Sequence, residues 1–212
     1  RLAISVATTA SHFATRLLAD FSHRYAGVTI SLDITNRASL RDQLEKNEPD
    51  MVIMGQAPEG VEVTSETFME NPLVVIAPAN HPLTAQKNIP LKHFESEHFV
   101  VRESGSGTRS AIQRFFDRHG VSFHTGIETS SNETIKQAVE AGLGLGIVSI
   151  HTLELELETG RLEILDVEGF PIIRHWHIVQ RAGKRLSPVA QAFKQFVLEE
   201  AEQFIRLPTS YY

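Results

Sequence analysis

Two short turns rich in hydroxyl side chains and glycine each follow an apolar segment and precede an amphipathic one. A helix that begins at such a turn presents free backbone N–H groups and the positive end of its dipole, and together these bind anions. Two such turns in one chain predict that two α/β lobes close on one small acidic ligand. The candidate contacts in these turns are Thr8, Thr9, Ser11, Ser104, Gly105, Ser106 and Thr108.

Each turn also has a simpler explanation, because a hydroxyl before a helix is often only its N-cap. In the second turn, three hydroxyls and two glycines that permit close backbone approach favour a ligand. This turn lacks the G-x-x-x-x-G-K pattern of phosphate-binding loops and the G-x-S-x-G pattern of serine hydrolases. Neither nucleotide hydrolysis nor serine-hydrolase chemistry is therefore predicted.

Further candidates lie where predicted strands end, at the edge at which open α/β sheets bind ligands. Arg37 and Arg102 could hold an anion through two parallel hydrogen bonds, and the alternative is that they form ion pairs at the surface or between elements. Asn36 stands beside Arg37. Ser131 and Asn132 begin another predicted helix. Their first predicted role is to cap that helix, and their second is to contact a ligand. The spacing of Ser130 and Glu133 predicts a capping box there.

Metal binding and catalysis have little support in the sequence. His175 and His177 lie on one face of a predicted strand, but no third ligand stands at a recognisable spacing. The run of Glu154, Glu156 and Glu158 is typical of a solvated helix face. No nucleophile–base pair stands out, so neither a cofactor nor an enzymatic activity is predicted.

Composition narrows the class of protein. The chain has 212 residues, a formal net charge of −6 and 42% hydrophobic residues, enough for one large domain or two small ones. The negative charge argues against a nucleic-acid-binding module. No apolar run approaches the ~20 residues needed to cross a bilayer, and the first residues lack the pattern of a signal peptide. The absence of cysteine excludes disulfides and thiolate metal sites, and fits a cytoplasmic protein.

Strand and helix patterns alternate along the chain, which predicts an α/β fold. Two apolar strands, at residues 73–77 and 172–180, are predicted to carry the chain between the lobes. The predicted architecture is two Rossmann-like lobes joined by two crossover strands. Lobe I comprises residues 1–76 and a return segment, 176–212, and lobe II comprises residues 77–175. A helix beginning at Ser187-Pro188 is expected to pack back on lobe I.

Several segments resemble the LysR-type transcriptional regulators. Residues 135–148, IKQAVEAGLGLGIV, resemble the V-x-x-G-x-G-I segment of that family, and residues 185–188, RLSP, resemble its closing pattern. Residues 69–75 and 168–172 look more specifically like the carbon-fixation (RuBisCO operon) regulators. The resemblance extends from the first strand to the last helix.

This resemblance implies an effector-binding domain with a type 2 periplasmic-binding-protein fold and a ligand cleft between its lobes. When the family's cleft positions are transferred to this sequence, the residues that line the cleft are the candidate residues named above. The effector would be a small anionic metabolite such as a phosphorylated sugar or a cofactor. A homodimer is implied, and a tetramer for the full-length protein. DNA would be bound only through an N-terminal helix-turn-helix that this sequence does not include, and the location would be cytoplasmic, with no membrane contact.

Two other functions stay open at this stage. An exported solute-binding protein of a transport system would have the same fold, and an encoded signal peptide would favour it. A small enzyme on the same two-lobe scaffold would need a perturbed acid–base pair in the cleft. Fold-level similarity by itself does not decide among these functions.

Overall fold

The computed structural model describes residues 1–204, which form nine strands and six α-helices. The strands are β1 (Leu2–Ala7), β2 (Ile30–Thr35), β3 (Met51–Met54), β4 (Val63–Pro78), β5 (Phe99–Arg102), β6 (Thr125–Thr129), β7 (Leu145–Ser149), β8 (Leu162–Ile164) and β9 (Ile172–Arg181). The helices are α1 (Ser11–Arg24), α2 (Arg37–Glu45), α3 (Gly107–Arg118), α4 (Asn132–Glu140), α5 (Glu154–Glu158) and α6 (Pro188–Glu200). Residues 205–212 of the predicted return segment lie outside the described residues. None of the helices within residues 1–204 is long and apolar enough to cross a membrane.

The described chain divides into two compact units. Unit 1 comprises residues 1–71 and 174–204, and unit 2 comprises residues 72–173. Strands β4 and β9 contain the two junctions, so each contributes residues to both units. Unit 1 is therefore built from two separate stretches of sequence, whereas unit 2 is one continuous stretch.

Unit 1 has a mixed sheet in the order β2-β1-β3-β9. Strand β1 pairs in parallel with both β2 and β3, and β9 runs antiparallel to β3. Alternate residues of β3 enter two different apolar clusters, as the period of two along a strand requires. Met51 and Ile53 pack with α1 and α6, while Val52 and Met54 pack with α2.

Aromatic residues from distant parts of the sequence meet in the larger core of unit 1. Phe13 of α1 lies 5.3 Å, centroid to centroid, from Trp176 of β9, and the two rings meet edge to face. Phe21 of α1 meets Phe193 of α6 in the same way at 5.1 Å. The predicted packing of the last helix on the first lobe is thus seen within this unit. Ser187 caps α6, its Oγ accepting from the N–H of Ala190, and Pro188 follows as its first residue.

Unit 2 contains strands in the order β4-β7-β5-β6, and β8 pairs with β4. Strand β5 is parallel to β6 and β7, whereas β4 is antiparallel to β7 and β8. Helix α3 covers one face, with Ile112 and Phe116 buried. Helix α4 covers the other, with Ile135 and Val139 buried.

The glycine-punctuated segment after α4 has a steric explanation. Gly142, at φ +82°, ends α4 in the left-handed region that glycine adopts most easily. A Cβ on Gly144 would lie 2.8 Å from the carbonyl oxygen of His98, and one on Gly146 would lie 3.0 Å from Val139. Space therefore demands glycine at 144, where the chain enters β7 beside the start of β5. Residues 142–148 form one apolar, glycine-punctuated run that predicts a strand from Gly142, but strand β7 begins only at Leu145.

Two other local predictions are wrong. The composition of residues 57–64 predicts a turn-rich connection, but strand β4 already begins at Val63. Its residues 64–67 are exposed and polar, so no apolar pattern reveals this part of the strand. The N-cap of α4 is Ser131 and not Ser130, since the Ser131 Oγ accepts from the Thr134 N–H. Glu133 forms an ion pair with Lys136 and no capping box.

Candidate functional site

In unit 1, the candidate residues gather where the parallel strands β1 and β2 end side by side. Ala7 and Thr35 are register partners there, and the Thr8 hydroxyl donates to the Thr35 carbonyl oxygen at 3.3 Å. We define the unit 1 site as Thr8, Thr9, Ser11, Asn36 and Arg37.

The hydroxyls of the unit 1 site do not cap the helix that follows them. The 3₁₀ helix Thr8–Ala10 and α1 both begin without a side-chain cap. The Ser11 hydroxyl instead donates to the Thr8 carbonyl oxygen at 2.8 Å. The simple N-cap explanation is therefore wrong for this turn.

Arg37 and Asn36 both form hydrogen bonds within the chain. The Arg37 guanidinium donates to the carbonyl oxygens of Gln56 at 2.7 Å and Ala57 at 3.3 Å. Burial lowers the pKa of Arg37 from its ordinary value. Asn36 caps α2 by accepting from the Ser39 N–H. Arg37 therefore anchors the loop after β3 and contributes a positive charge near the strand ends.

In unit 2, the second group lies where the parallel strands β5 and β6 end. Arg102 and Thr129 are register partners, and the Glu103 N–H donates to the Thr129 carbonyl oxygen at 3.1 Å. We define the unit 2 site as Arg102, Ser104, Gly105, Ser106, Thr108, Ser131 and Asn132.

Two serines of the unit 2 site serve as helix caps. The Ser106 Oγ accepts from the Arg109 N–H at 3.4 Å, and Ser131 caps α4. The hydroxyls of Ser104 and Thr108 make no hydrogen bond within residues 1–204, and nothing lies within 4 Å of a Cβ built on Gly105. The turn thus keeps open hydroxyl and backbone positions beside the N-terminus of α3.

Asn132 is the most unusual member of the unit 2 site. It is only 6% exposed, yet its Nδ2 has no hydrogen-bond partner among the described residues. A buried amide donor left unpaired costs about 1–3 kcal/mol, so native proteins rarely keep one without a reason. An acceptor atom of a ligand would satisfy it.

Sequence reasoning missed two residues that hold this region in place. Arg109 donates to the Arg102 carbonyl oxygen at 3.0 Å and to the Thr125 hydroxyl at 3.2 Å, and so secures the end of β5. Lys136 is 4% exposed, and its Nζ donates to the Thr152 carbonyl oxygen at 2.8 Å and to Glu156 at 2.7 Å. The sequence signal for the burial of Lys136 was its position beside Ile135 and Val139 on the apolar side of α4.

The prediction of a solvated glutamate face is wrong for Glu156. Its side chain is 14% exposed and faces Lys136, which fastens α5 to α4. The histidines near β9 do not form a cluster: the His177 Nδ1 lies 2.6 Å from the Gly55 carbonyl oxygen, and His175 is exposed. Within residues 1–204, no group of three or more histidine, aspartate and glutamate side chains could hold a metal ion.

His151 provides a pH-dependent test of the packing after β7. Burial lowers the pKa of His151 to about 4, so the folded state keeps it neutral while the unfolded chain protonates near pH 6.5. Because the unfolded state then binds more protons, stability falls as the pH drops through this window. We expect the wild-type free energy of unfolding to fall by about 2 kcal/mol between pH 7 and pH 5 from this group.

Urea denaturation of the wild type and His151→Gln at both pH values checks this prediction. His151→Gln should lose the corresponding part of the pH dependence. His175→Gln, a change at an exposed histidine, should retain it. If the free energy of unfolding changes equally with pH in the wild type and in His151→Gln, His151 is solvated and titrates normally.

Comparison with known proteins defines the class of this fold. The regulatory domain of CcmR from Synechocystis PCC6803, solved in complex with 2-PG, superposes with a TM-score of 0.89 and 42% identity over 93% of this chain and 95% of that one. The effector-binding domain of QuiR, in complex with shikimate, has the same fold at a TM-score of 0.83 and 18% identity, covering 95% of this chain and 97% of that one. The chain has the mixed α/β, two-lobe, periplasmic-binding-protein-like fold of effector-binding domains.

Residues 1–202 match the family described as the LysR substrate binding domain, and the chain belongs to that family. It is 54% identical over 94% of its length to the RuBisCO operon transcriptional regulator of Allochromatium vinosum. It is 43% identical over 95% of its length to the transcriptional activator CmpR of Synechocystis. The predicted family and its carbon-fixation subgroup are confirmed. The chain spans 66% of the length of each of these two relatives.

Proposed function

We propose that this chain is the ligand-sensing domain of a transcriptional regulator of a carbon-fixation operon, and that its effector is a small anionic metabolite such as 2-PG. The observation that carries the proposal is the CcmR regulatory domain in complex with 2-PG, at 42% identity over nearly the whole of both chains. The relatives named as RuBisCO operon regulators support the choice of operon. The comparisons do not favour the alternative of an exported solute-binding protein.

The proposed mechanism is differential binding by two lobes. The unit 1 site and the unit 2 site would contact opposite sides of one ligand, and binding would favour the lobe arrangement in which both contacts form. Each site lies at the carboxyl ends of parallel strands, the usual position for ligands in open α/β sheets. Each also contributes the N-terminus of a helix of at least nine residues, which suits an anion.

The wider biology follows from the family and is proposed on that basis. The full-length protein would bind DNA through a segment outside this sequence and would act in the cytoplasm as an oligomer built on a homodimer. A ligand-induced shift in the lobes would alter the dimer and therefore the DNA complex. The chain itself would sense and would not catalyse.

Isothermal titration calorimetry with 2-PG tests the effector. Saturable binding is expected, with a rise in melting temperature that grows with ligand concentration. Acetate at the same ionic strength is the control for a general salt effect. Absence of both heat and thermal shift with 2-PG, inorganic phosphate and sugar phosphates would contradict the proposal.

Asn132 separates a role in binding from a role in folding. Replacing it with Leu removes a buried donor that has no partner, so we expect stability to rise by about 1 kcal/mol. Affinity for 2-PG is expected to fall at least about tenfold, because a buried donor to the ligand is lost. Denaturation and calorimetry on one preparation measure both, with Gln137→Leu on the exposed side of α4 as the matched control. A loss of stability with unchanged affinity would make Asn132 purely structural.

A further inference from the structure

Arg102 of the unit 2 site is already bound to an anion, which is its own neighbour in sequence. Its Nε and NH2 donate to the two carboxylate oxygens of Glu103 at 2.9 and 3.0 Å. This is the planar, two-bond arrangement by which arginine holds carboxylates and phosphates. Arg102 thereby holds the pKa of Glu103 below its ordinary value.

The two partners differ in how firmly they are held. The Arg102 side chain is 10% exposed, whereas that of Glu103 is 34% exposed. The backbone of Glu103 is fixed independently of its carboxylate, because its N–H donates to the Thr129 carbonyl oxygen and its own carbonyl oxygen accepts from the Ser106 N–H. The carboxylate can therefore swing into solvent by side-chain rotation alone, leaving the guanidinium in place.

We infer that Glu103 is a built-in competitor that occupies the anion-binding face of Arg102 until an anionic ligand displaces it. The inference rests on the proposed function, since it requires a ligand at the unit 2 site. The open hydroxyls of Ser104 and Thr108 stand on the same turn and would accompany the incoming anion.

Such a competitor lowers the apparent affinity of every anion that must displace it, so only an anion with strong contacts of its own occupies the site. Glu103 is a monoanionic carboxylate with two acceptor oxygens, so a free monocarboxylate gains little by replacing it. A phosphate group has three acceptor oxygens and nearly two charges at pH 7, and it gains more from the guanidinium, the hydroxyls and the N-terminus of α3. The site would therefore prefer phosphorylated ligands over simple carboxylates.

The test compares Glu103→Gln with Glu128→Gln by calorimetry at one ionic strength, using 2-PG, inorganic phosphate and acetate. Glu128 lies on β6 beside β5, 3.7 Å from Arg109, so its variant makes the same charge change close by without freeing Arg102. Because the Glu103 carboxylate is 34% exposed and partly screened by solvent, Glu103→Gln should tighten the binding of phosphate and 2-PG by only about fivefold. Acetate should gain about as much, because Glu103 competes equally with every anion that binds the Arg102 guanidinium. Glu128→Gln should stay within about twofold of the wild type.

A second comparison ties the effect to Arg102. In an Arg102→Met background, Glu103→Gln should bring less than about a twofold gain, because no guanidinium is left to be freed. Carbon-13 NMR of the wild type gives an independent readout without any variant: saturation with 2-PG should return the pKa of Glu103 towards its ordinary value. A Glu103 resonance that titrates identically with and without bound ligand would overturn the inference.

The outcomes distinguish the inference from the proposed function. If the wild type binds 2-PG while Glu103→Gln binds no more tightly, or gains only as much as Glu128→Gln, the Arg102–Glu103 pair is structural and the inference fails alone. If no variant shows saturable binding of any anion, the proposed function fails with it.

Discussion

Replacing Glu156 with Ala is expected to lower the free energy of unfolding by about 3–5 kcal/mol, because the change leaves a buried ammonium without its best partner. Lys136 Nζ would retain the Thr152 carbonyl oxygen and Glu133, a carboxylate that is 57% exposed and screened by solvent. An ammonium buried to 4% exposure with only this one solvent-screened carboxylate left is strongly unfavourable, since much of its lost hydration is not replaced.

A double-mutant cycle separates the ion pair from the rest of the packing. Lys136→Met combined with Glu156→Leu should cost far less than the two single changes added together, since apolar groups of similar size often replace a buried pair at little cost. Glu45→Ala is the matched control. Glu45 pairs with Arg41 on the exposed side of α2, and its loss should cost less than about 0.5 kcal/mol. Strictly additive losses in the cycle would show that Lys136 and Glu156 are not coupled.

Gly144→Ala is expected to cost about 3 kcal/mol, because a backbone atom blocks the added methyl group. Its Cβ would lie 2.8 Å from the carbonyl oxygen of His98, which accepts from the Leu145 N–H at 3.0 Å. The clash can be relieved only by moving β7 away from the start of β5, which breaks that hydrogen bond.

Urea denaturation of Gly144→Ala and Gly105→Ala measures this effect. Nothing lies within 4 Å of a Cβ on Gly105, and its φ is outside the left-handed region, so that change should stay within about 0.5 kcal/mol. If the two variants are equally stable, β7 can move away from β5 at little cost, and steric exclusion is not the reason for glycine at position 144.

Sequence patterns predicted the helices and strands that have a clear apolar face or capping residues at their ends. Helix α6 illustrates this, because Ser187 and Pro188 mark its start and Phe193 and Phe196 its buried face. The beginning of β4 was missed because exposed polar residues form its first part. Which serine caps α4 depends on a one-residue difference in backbone conformation, which residue types alone do not determine.

The sequence predicted where the candidate residues lie, at the ends of strands, but not which groups their side chains bind. Hydroxyls at the ends of strands are visible in the sequence, so both turns could be located. That Arg37 binds two backbone carbonyls and Arg102 binds Glu103 depends on loop conformation. The burial of Lys136 depends on α5 packing against α4, and residues 132–140 by themselves do not reveal it.

The discontinuous build of unit 1 has a consequence for biosynthesis. Trp176 and Phe193 complete a core begun by Phe13 and Phe21, so this core can form only after residues 176–193 have been synthesised. The continuous stretch 72–173 carries its own cores and can mature first while translation continues. During that interval Phe13 and Phe21 lack the aromatic partners that later cover them, so residues 1–71 are the stretch that gains most from protection by a chaperone.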